Sequence, residues 1–291
     1  MPRYDRRPEW LKITPLDSGI VGNMGRLMRG LNLHTVCVGA QCPNRTECFG
    51  AGTATFMILG DVCTRNCTFC SVKKGKPLSP DFQEPEHLVE AVEKLGLRYV
   101  VVTSVTRDDL PDGGASHFAQ TVRALFQYNP NLMVEVLIPD FKGSLSALEN
   151  VVAAHPSVLN HNVETIPRLY SEVRPMAEYR RSIDLLRRAK TFDGKTLTKS
   201  GLMLGLGESR QEVIEVINDL VNAGCDLLTL GQYLQPSFTH HRLVRYIPPE
   251  EFDEYKTIGE EMGFATVVAG PLVRSSFHAA EAYLSVVRKA E

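Results

Sequence analysis

Six of the seven cysteines in this 291-residue chain fall between residues 37 and 70, in two triads of different spacing. One triad, in "CTRNCTFC", is Cys63, Cys67 and Cys70, spaced x3 then x2. The other, in "CVGAQCPNRTEC", is Cys37, Cys42 and Cys48, spaced x4 then x5. Thiolates are soft ligands that suit zinc or iron–sulfur clusters. A structural zinc site is closed by four ligands, so a triad leaves it one short. A four-iron cluster on three cysteines keeps one iron open, where a substrate or cofactor can chelate. Phe69, next to Cys70, offers a flat face for stacking. An odd, clustered set of cysteines points to metal in a reducing compartment rather than to disulfides.

The rest of the composition narrows the class. The net charge of −2 gives no basic surface for nucleic acid. No apolar run approaches the roughly 20 residues of a membrane span. The start, "MPRYDRRPEWLKI", lacks an apolar stretch and carries Asp5 and Glu9, against a targeting peptide. These features read as a cytoplasmic protein with no membrane partner.

The elements that must position the cysteines emerge from periodicity. Residues 1–53 show little of it and read as an irregular wrap holding the first triad. From "ATFMIL" onward, short apolar runs alternate with amphipathic helical stretches. "YVVVTS", "LMVEVLIP", "SVLNHNVE", "LTKSGLMLGLG", "DLLTLGQYL" and "FATVVAG" are the later strands. "EHLVEAVEKLGL" and "RQEVIEVINDLVNAG" are among the helices, with apolar residues on one face. About six βα units with continuous apolar strands imply a parallel sheet covered by helices. A closed or partly open α/β barrel and a doubly wound sheet both satisfy this pattern. Either puts the site at the C-terminal ends of the strands. "GLGE" at 205–208 lacks a Gly-Lys-Ser/Thr ending and reads as a tight turn, not a phosphate loop.

C-x3-C-x2-C after the first strand resembles the signature of the radical S-adenosylmethionine superfamily. The upstream triad and "RSSFHA" near residue 276 narrow the resemblance to the lipoyl synthase family. "RPEWLK", "GDVCTRNCTFCSV", "TSVTRDDLPDGGA", "NHNVET" and "GLMLGLGE" extend it from about residue 8 to 280. The architecture expected with this resemblance is a partial (β/α)6 TIM-like barrel over 54–270. An N-terminal extension (1–53) and a C-terminal extension (271–291) flank it.

The resemblance implies two 4Fe–4S clusters. Cys63, Cys67 and Cys70 would hold the one whose open iron binds S-adenosylmethionine, which is cleaved to a 5′-deoxyadenosyl radical. Cys37, Cys42 and Cys48, with Ser276, would hold an auxiliary cluster that donates sulfur; Ser275 is the second choice. Phe277 stands where the family has tyrosine, which leaves the serine untouched. A serine oxygen is a hard ligand on an otherwise sulfur-bound iron, and so an easy one to displace. S-adenosylmethionine contacts are expected from Thr103, Ser104, Asn162, Glu164 and Arg174, besides Phe69. Gln235 and Pro236 are weaker candidates.

The implied reaction inserts two sulfurs at C6 and C8 of an octanoyl group. That group hangs on a lysine of a lipoyl carrier domain or the glycine-cleavage H protein. A ferredoxin or flavodoxin would supply electrons, and an outside carrier would rebuild the spent cluster. "KKGK" and the helix bearing Arg187 and Arg188 are basic patches suited to acidic carriers. Other readings fit less well. A biotin synthase would lack the upstream triad, and a methylthiotransferase would carry an extra N-terminal domain. A zinc module for nucleic acid would be basic. Cys225 and His161 read as structural, and the "THH" stretch at 239–241 as part of a flexible basic loop, "HHRLVR".

Overall fold

The computed structural model describes residues 7–51 and 53–290. The first of these residues are more regular than their sequence suggests. Helix α1 (Ser18–Gly30) leads to a two-residue strand, β1 (His34–Thr35), and two short helices, α2 (Val36–Gly39) and α3 (Arg45–Gly50). Gly19, Gly22 and Gly25, ahead of the terminal Gly30, weaken the helical signature of α1, each costing about 1 kcal/mol relative to alanine. Tertiary packing compensates, with Met24 and Met28 buried one turn apart and α1 lying on α3. Asp17 caps the helix, its carboxylate accepting from the Gly19 and Ile20 amides at 2.8 and 2.9 Å. Asp17→Ala should therefore cost about 1 kcal/mol, read from the denaturation midpoint. No change in midpoint would show that packing on α3 alone holds α1.

The sheet begins with β2 (Thr55–Ile58), which is buried throughout. A small parallel pair, β3 (Val62–Cys63) and β4 (Lys73–Lys74), stands apart from it. The chain then alternates through α4 (Glu84–Leu95), β5 (Tyr99–Ser104), α5 (Ala115–Tyr128), β6 (Met133–Leu137), α6 (Leu145–Val152) and β7 (Val158–Asn160). After β7 come α7 (Tyr170–Val173), α8 (Tyr179–Phe192), β8 (Leu197–Leu204), α9 (Arg210–Asn222), β9 (Leu227–Gln232), α10 (Pro249–Met262), β10 (Thr266–Gly270) and α11 (Ala279–Ala290).

Strand order decides between the two architectures that periodicity left open. The sheet runs β1-β2-β5-β6-β7-β8-β9-β10, each long strand parallel to the one before it. A doubly wound sheet reverses its order at a switch point; this one never does. β1 is antiparallel to β2, so the sheet is mixed. It is a partial barrel flanked by helices, with seven parallel strands and one antiparallel edge rather than a strict set of six. All seven parallel strands present their C-terminal ends on one side.

A polar knot ties four strands together. Glu135 on β6 accepts from Lys199 Nζ on β8 at 3.0 and 3.1 Å, from Tyr99 Oη at 2.7 Å and from Asn160 Nδ2 at 3.0 Å. Buried charges survive only when paired and hydrogen-bonded in this way. Two apolar cores lie around the sheet. One gathers Phe56, Leu88, Val102 and Phe118, and the other Leu204, Val213, Ile217 and Leu230.

Candidate cluster and cofactor sites

Cys63 ends β3, and in the parallel register it sits opposite Lys74 on β4. The intervening loop carries Cys67 and Cys70 and is pinned to the barrel along its length. Thr64 donates through both its amide and hydroxyl to the Thr106 carbonyl at 3.0 Å. The Thr68 amide donates to Val173 O at 2.9 Å, and Ser71 Oγ to Gly39 O at 3.0 Å.

The strongest anchor is Arg65, inside the cysteine motif and only 4% exposed. Its guanidinium forks onto Asp108 at 2.7 and 3.0 Å and also reaches Asp140. Arg181 approaches Asp140 from α8 at 3.3 Å. Burial alone would raise the Asp140 carboxyl, but the Arg65 hydrogen bond and charge outweigh it and hold it down at about 2. The Arg65 amide also donates to Cys63 Sγ at 3.4 Å. Sequence reasoning passed over Arg65, because its two carboxylate partners lie 43 and 75 residues away. A charged residue fixed between cysteines was the only available signal.

All seven cysteines are free thiols. Electrostatic neighbours sort six of them into two groups. Cys67 and Cys70 feel Cys63 and Glu164, whereas Cys48 feels Cys37 and Cys42. Burial pushes the Cys70 and Cys48 thiols up to about 12 and raises those of Cys37 and Cys67. They are thus protonated at neutral pH and must release protons to bind metal. Among the described residues, no three His, Cys, Asp or Glu side chains converge to hold a single metal ion. In a four-iron cluster each thiolate takes its own iron, so such convergence is not required.

Above the second triad, the strand ends hold polar atoms that find no partner. Ser104 Oγ at the tip of β5, Asn162 Oδ1 just after β7, and Arg174 Nε after α7 are buried without a hydrogen bond. Each such group costs about 1–3 kcal/mol when left unsatisfied. Arg174 and Glu164 both lie in electrostatic range of Cys67. Burial raises the Glu164 carboxyl, and the Arg174 charge works against it. A ligand bearing a carboxylate, an amine and sugar hydroxyls would satisfy this set beside an open iron. The donor chemistry therefore fits S-adenosylmethionine. Gly201 on β8 keeps the pocket open, since a Cβ there would stand 2.7 Å from Asn162 Oδ1 and 2.8 Å from Thr229 Oγ1.

The remaining expected contacts divide. Thr103 donates its hydroxyl to the Leu137 carbonyl at 3.0 Å, which leaves Ser104 as the freer neighbour. Arg174 spends Nη1 on the carbonyls of Asn162 and Val163 at 2.9 and 3.1 Å and keeps only part of its fork for a ligand. Phe69 packs against the later-strand core. Gln235 clamps its own loop through Ser237 O, His240 O and the Leu243 amide, so it serves the loop rather than the pocket. His240 and His241 are likewise held within that loop and by Leu206 O. His161 is satisfied by Ile138 O and Ser182 Oγ, and Cys225 is buried. Arg107, in the charged run after β5, is 2% exposed and bonds Leu59 O and Asp109. Ser104→Ala should weaken S-adenosylmethionine binding about tenfold, whereas Thr103→Ala should leave it within about twofold. Equilibrium dialysis checks both, and the reverse order would assign the contact to Thr103.

The first triad meets the segment 272–278. Asn44 Nδ2 donates to Leu272 O at 2.8 Å, and His278 approaches Glu47 at 3.7 Å. Arg274 is partly buried near Cys42; desolvation presses its guanidinium downward and Cys42 works the other way. The segment lies so close on β9 that a Cβ at Gly231 would come within 2.1 Å of Val273 O. Ser275 Oγ accepts from Asn162 Nδ2 at 3.3 Å, on the side of the strand-end pocket. Ser276 follows in the same turn, between the Arg274 and His278 contacts with the first triad's segment.

Comparison with known proteins identifies the family and supports the fold. Residues 57–220 match the family model of the radical SAM superfamily. A lipoyl synthase of Caldanaerobacter subterraneus subsp. tengcongensis is 55% identical over 274 residues, 94% of this chain and 96% of the relative. A lipoyl synthase of Haemophilus influenzae is 52% identical over 276 residues, 94% of this chain and 86% of the relative. Among solved structures, the fold resembles Streptococcus suis SuiB bound to its precursor peptide, with TM-score 0.59, 13% identity and coverage of 91% of this chain and 63% of that one. HydG, a maturase of the [FeFe]-hydrogenase, gives TM-score 0.58 at 12% identity, with coverage of 94% and 61%. The chain belongs to the lipoyl synthase family, within the radical SAM superfamily.

Proposed function

We propose that this protein inserts two sulfur atoms, at C6 and C8, into an octanoyl group on a lysine of a lipoyl carrier domain or glycine-cleavage H protein. The carrying observation is the pairing of two separate thiol triads, one under unsatisfied strand-end polar groups and one against the serine-bearing segment 272–278. In this reading Cys63, Cys67 and Cys70 hold one 4Fe–4S cluster, and Cys37, Cys42, Cys48 and Ser276 hold the other. When bound, the first cluster with S-adenosylmethionine supplies a hydrogen-abstracting radical, and the second supplies the sulfur.

The chain's own residues do the positioning. Ser104, Asn162, Glu164 and Arg174 orient S-adenosylmethionine, and Arg65 fixes the loop beneath it. Ser275 faces Asn162, which favours Ser276 as the oxygen ligand of the auxiliary site. The division into an N-terminal extension (1–53), a barrel (54–270) and a C-terminal extension (271–291) follows these roles. A reducing cytoplasm suits the seven free thiols. Among the described residues, no helix is long and apolar enough to cross a membrane.

The experiment is anaerobic reconstitution with iron and sulfide, followed by reaction with octanoylated H protein, S-adenosylmethionine and dithionite. Mass spectrometry of the carrier should show two sulfurs gained with no net change in hydrogen in the dithiol form, or with two hydrogens lost after oxidation in air to the cyclic disulfide, and two S-adenosylmethionines consumed. An unmodified carrier alongside cleaved S-adenosylmethionine would assign the chain to a different radical reaction.

A further inference from the structure

The segment between the second triad and α4 has features that neither site requires. Lys73, Lys74, Gly75 and Lys76 are all exposed. Leu78 and Phe82, 87% and 81% exposed, are the two most exposed large hydrophobic residues among the described ones. Exposed aromatic and aliphatic side chains beside charges are the usual anchors of a protein–protein contact. The same segment is one hydrogen bond from a cluster-ligand candidate, because the Gly75 amide donates to the Cys63 carbonyl at 3.0 Å.

We propose that residues 73–82 form the docking face for the one-electron donor, an acidic, low-potential carrier protein; this rests on the radical function proposed above. Docking there sets the donor's redox group beside the backbone of Cys63. In the step itself the donor loses one electron and the cluster gains one, with no bond made or broken. Charge complementarity selects the partner. Lys73 is engaged by Asp61, which leaves Lys74 and Lys76 to meet carboxylates, while Leu78 and Phe82 supply the dry centre of the contact.

Placement separates this face from that of the octanoyl carrier. The carrier must reach the strand-end pocket of Ser104 and Asn162. Residues 73–82 are instead tied to the N-terminal segment, with Asp81 accepting from Asn32 just past α1 at 3.0 Å and the chain then entering α4.

The test uses the reconstituted full chain, a purified acidic flavodoxin and octanoylated H protein. The variants are Lys74→Glu/Lys76→Glu and Leu78→Ser/Phe82→Ser, all at exposed positions. Calorimetry with the oxidised flavodoxin, without turnover, should show binding weakened at least tenfold in each. Stopped-flow reduction of the cluster by flavodoxin should slow in parallel. Reduction by dithionite and affinity for the octanoylated carrier should stay within twofold of wild type. Unchanged flavodoxin binding would overturn the proposal, as would a matching loss of carrier affinity. Wild type that fails to cleave S-adenosylmethionine even with dithionite would instead overturn the function on which it rests.

Discussion

Cys67→Ala should abolish reductive cleavage of S-adenosylmethionine while leaving about half of the iron in the protein. The two triads fall into separate electrostatic groups, so emptying one leaves the other's thiols in place. Wild type should hold about eight irons, from two four-iron clusters, and the variant about four. Cys42→Ala should show the complementary defect. Its iron should also fall to about four, yet S-adenosylmethionine should still be cleaved and no lipoyl group should form. Iron and sulfide analysis with separate assays of 5′-deoxyadenosine and lipoyl carrier measures each arm. If one substitution emptied both sites, the triads would be a single coupled centre. Zinc in place of iron would overturn the assignment altogether.

Arg65→Leu should be the most destabilising single change near the sites, at about 3–5 kcal/mol. Removing one partner from a buried ion pair leaves uncompensated charge; here Asp108 loses its fork and Asp140 its Arg65 contact, keeping only Arg181 at 3.3 Å. Asp140 adds a pH signature. Its folded pKa of about 2 lies below the ordinary value of about 3.9, so its contribution is complete above about pH 4. That contribution is lost as pH falls through the folded value. For wild type it amounts to about 2–3 kcal/mol. In Arg65→Leu the loss should begin at higher pH, because the carboxyl keeps its burial and loses its main counter-charge. Denaturant titrations between pH 3 and 7 measure both effects. Arg65→Lys should keep the charge but not the fork and fall between the two. If Arg65→Leu unfolds like wild type at pH 7, the loop is held by its backbone bonds alone.

How much of this was legible in the sequence follows the range of the interactions. The alternation from residue 54 onward gave strand and helix positions, because buried parallel strands and amphipathic helices impose local periods. The choice between barrel and doubly wound sheet was not legible, because it depends on which strands pair. The cysteine triads were readable because their spacing is local. Arg65 was not, since its meaning lies in two distant aspartates. Thr103 and Ser104 looked equivalent at the end of one strand. They differ because alternate residues face opposite ways, and Thr103 meets the Leu137 carbonyl. Helix α1 was obscured by its interior glycines, Gly19, Gly22 and Gly25.

The contact between Asn44 and Leu272 spans 228 residues and sets an order of events during synthesis. Every cysteine of both triads leaves the ribosome early, long before the segment that meets the first triad exists. At translation speeds of about 5–20 residues per second, the delay is on the order of 10–45 s. Throughout that interval the first triad's segment lacks the contacts that residues 272–278 later supply. The surroundings of the first triad are therefore complete only once residues 272–278 have been made. A chain stalled or clipped before residue 272 would lack the segment that packs on the first triad, and with it the serine proposed as the auxiliary cluster's ligand.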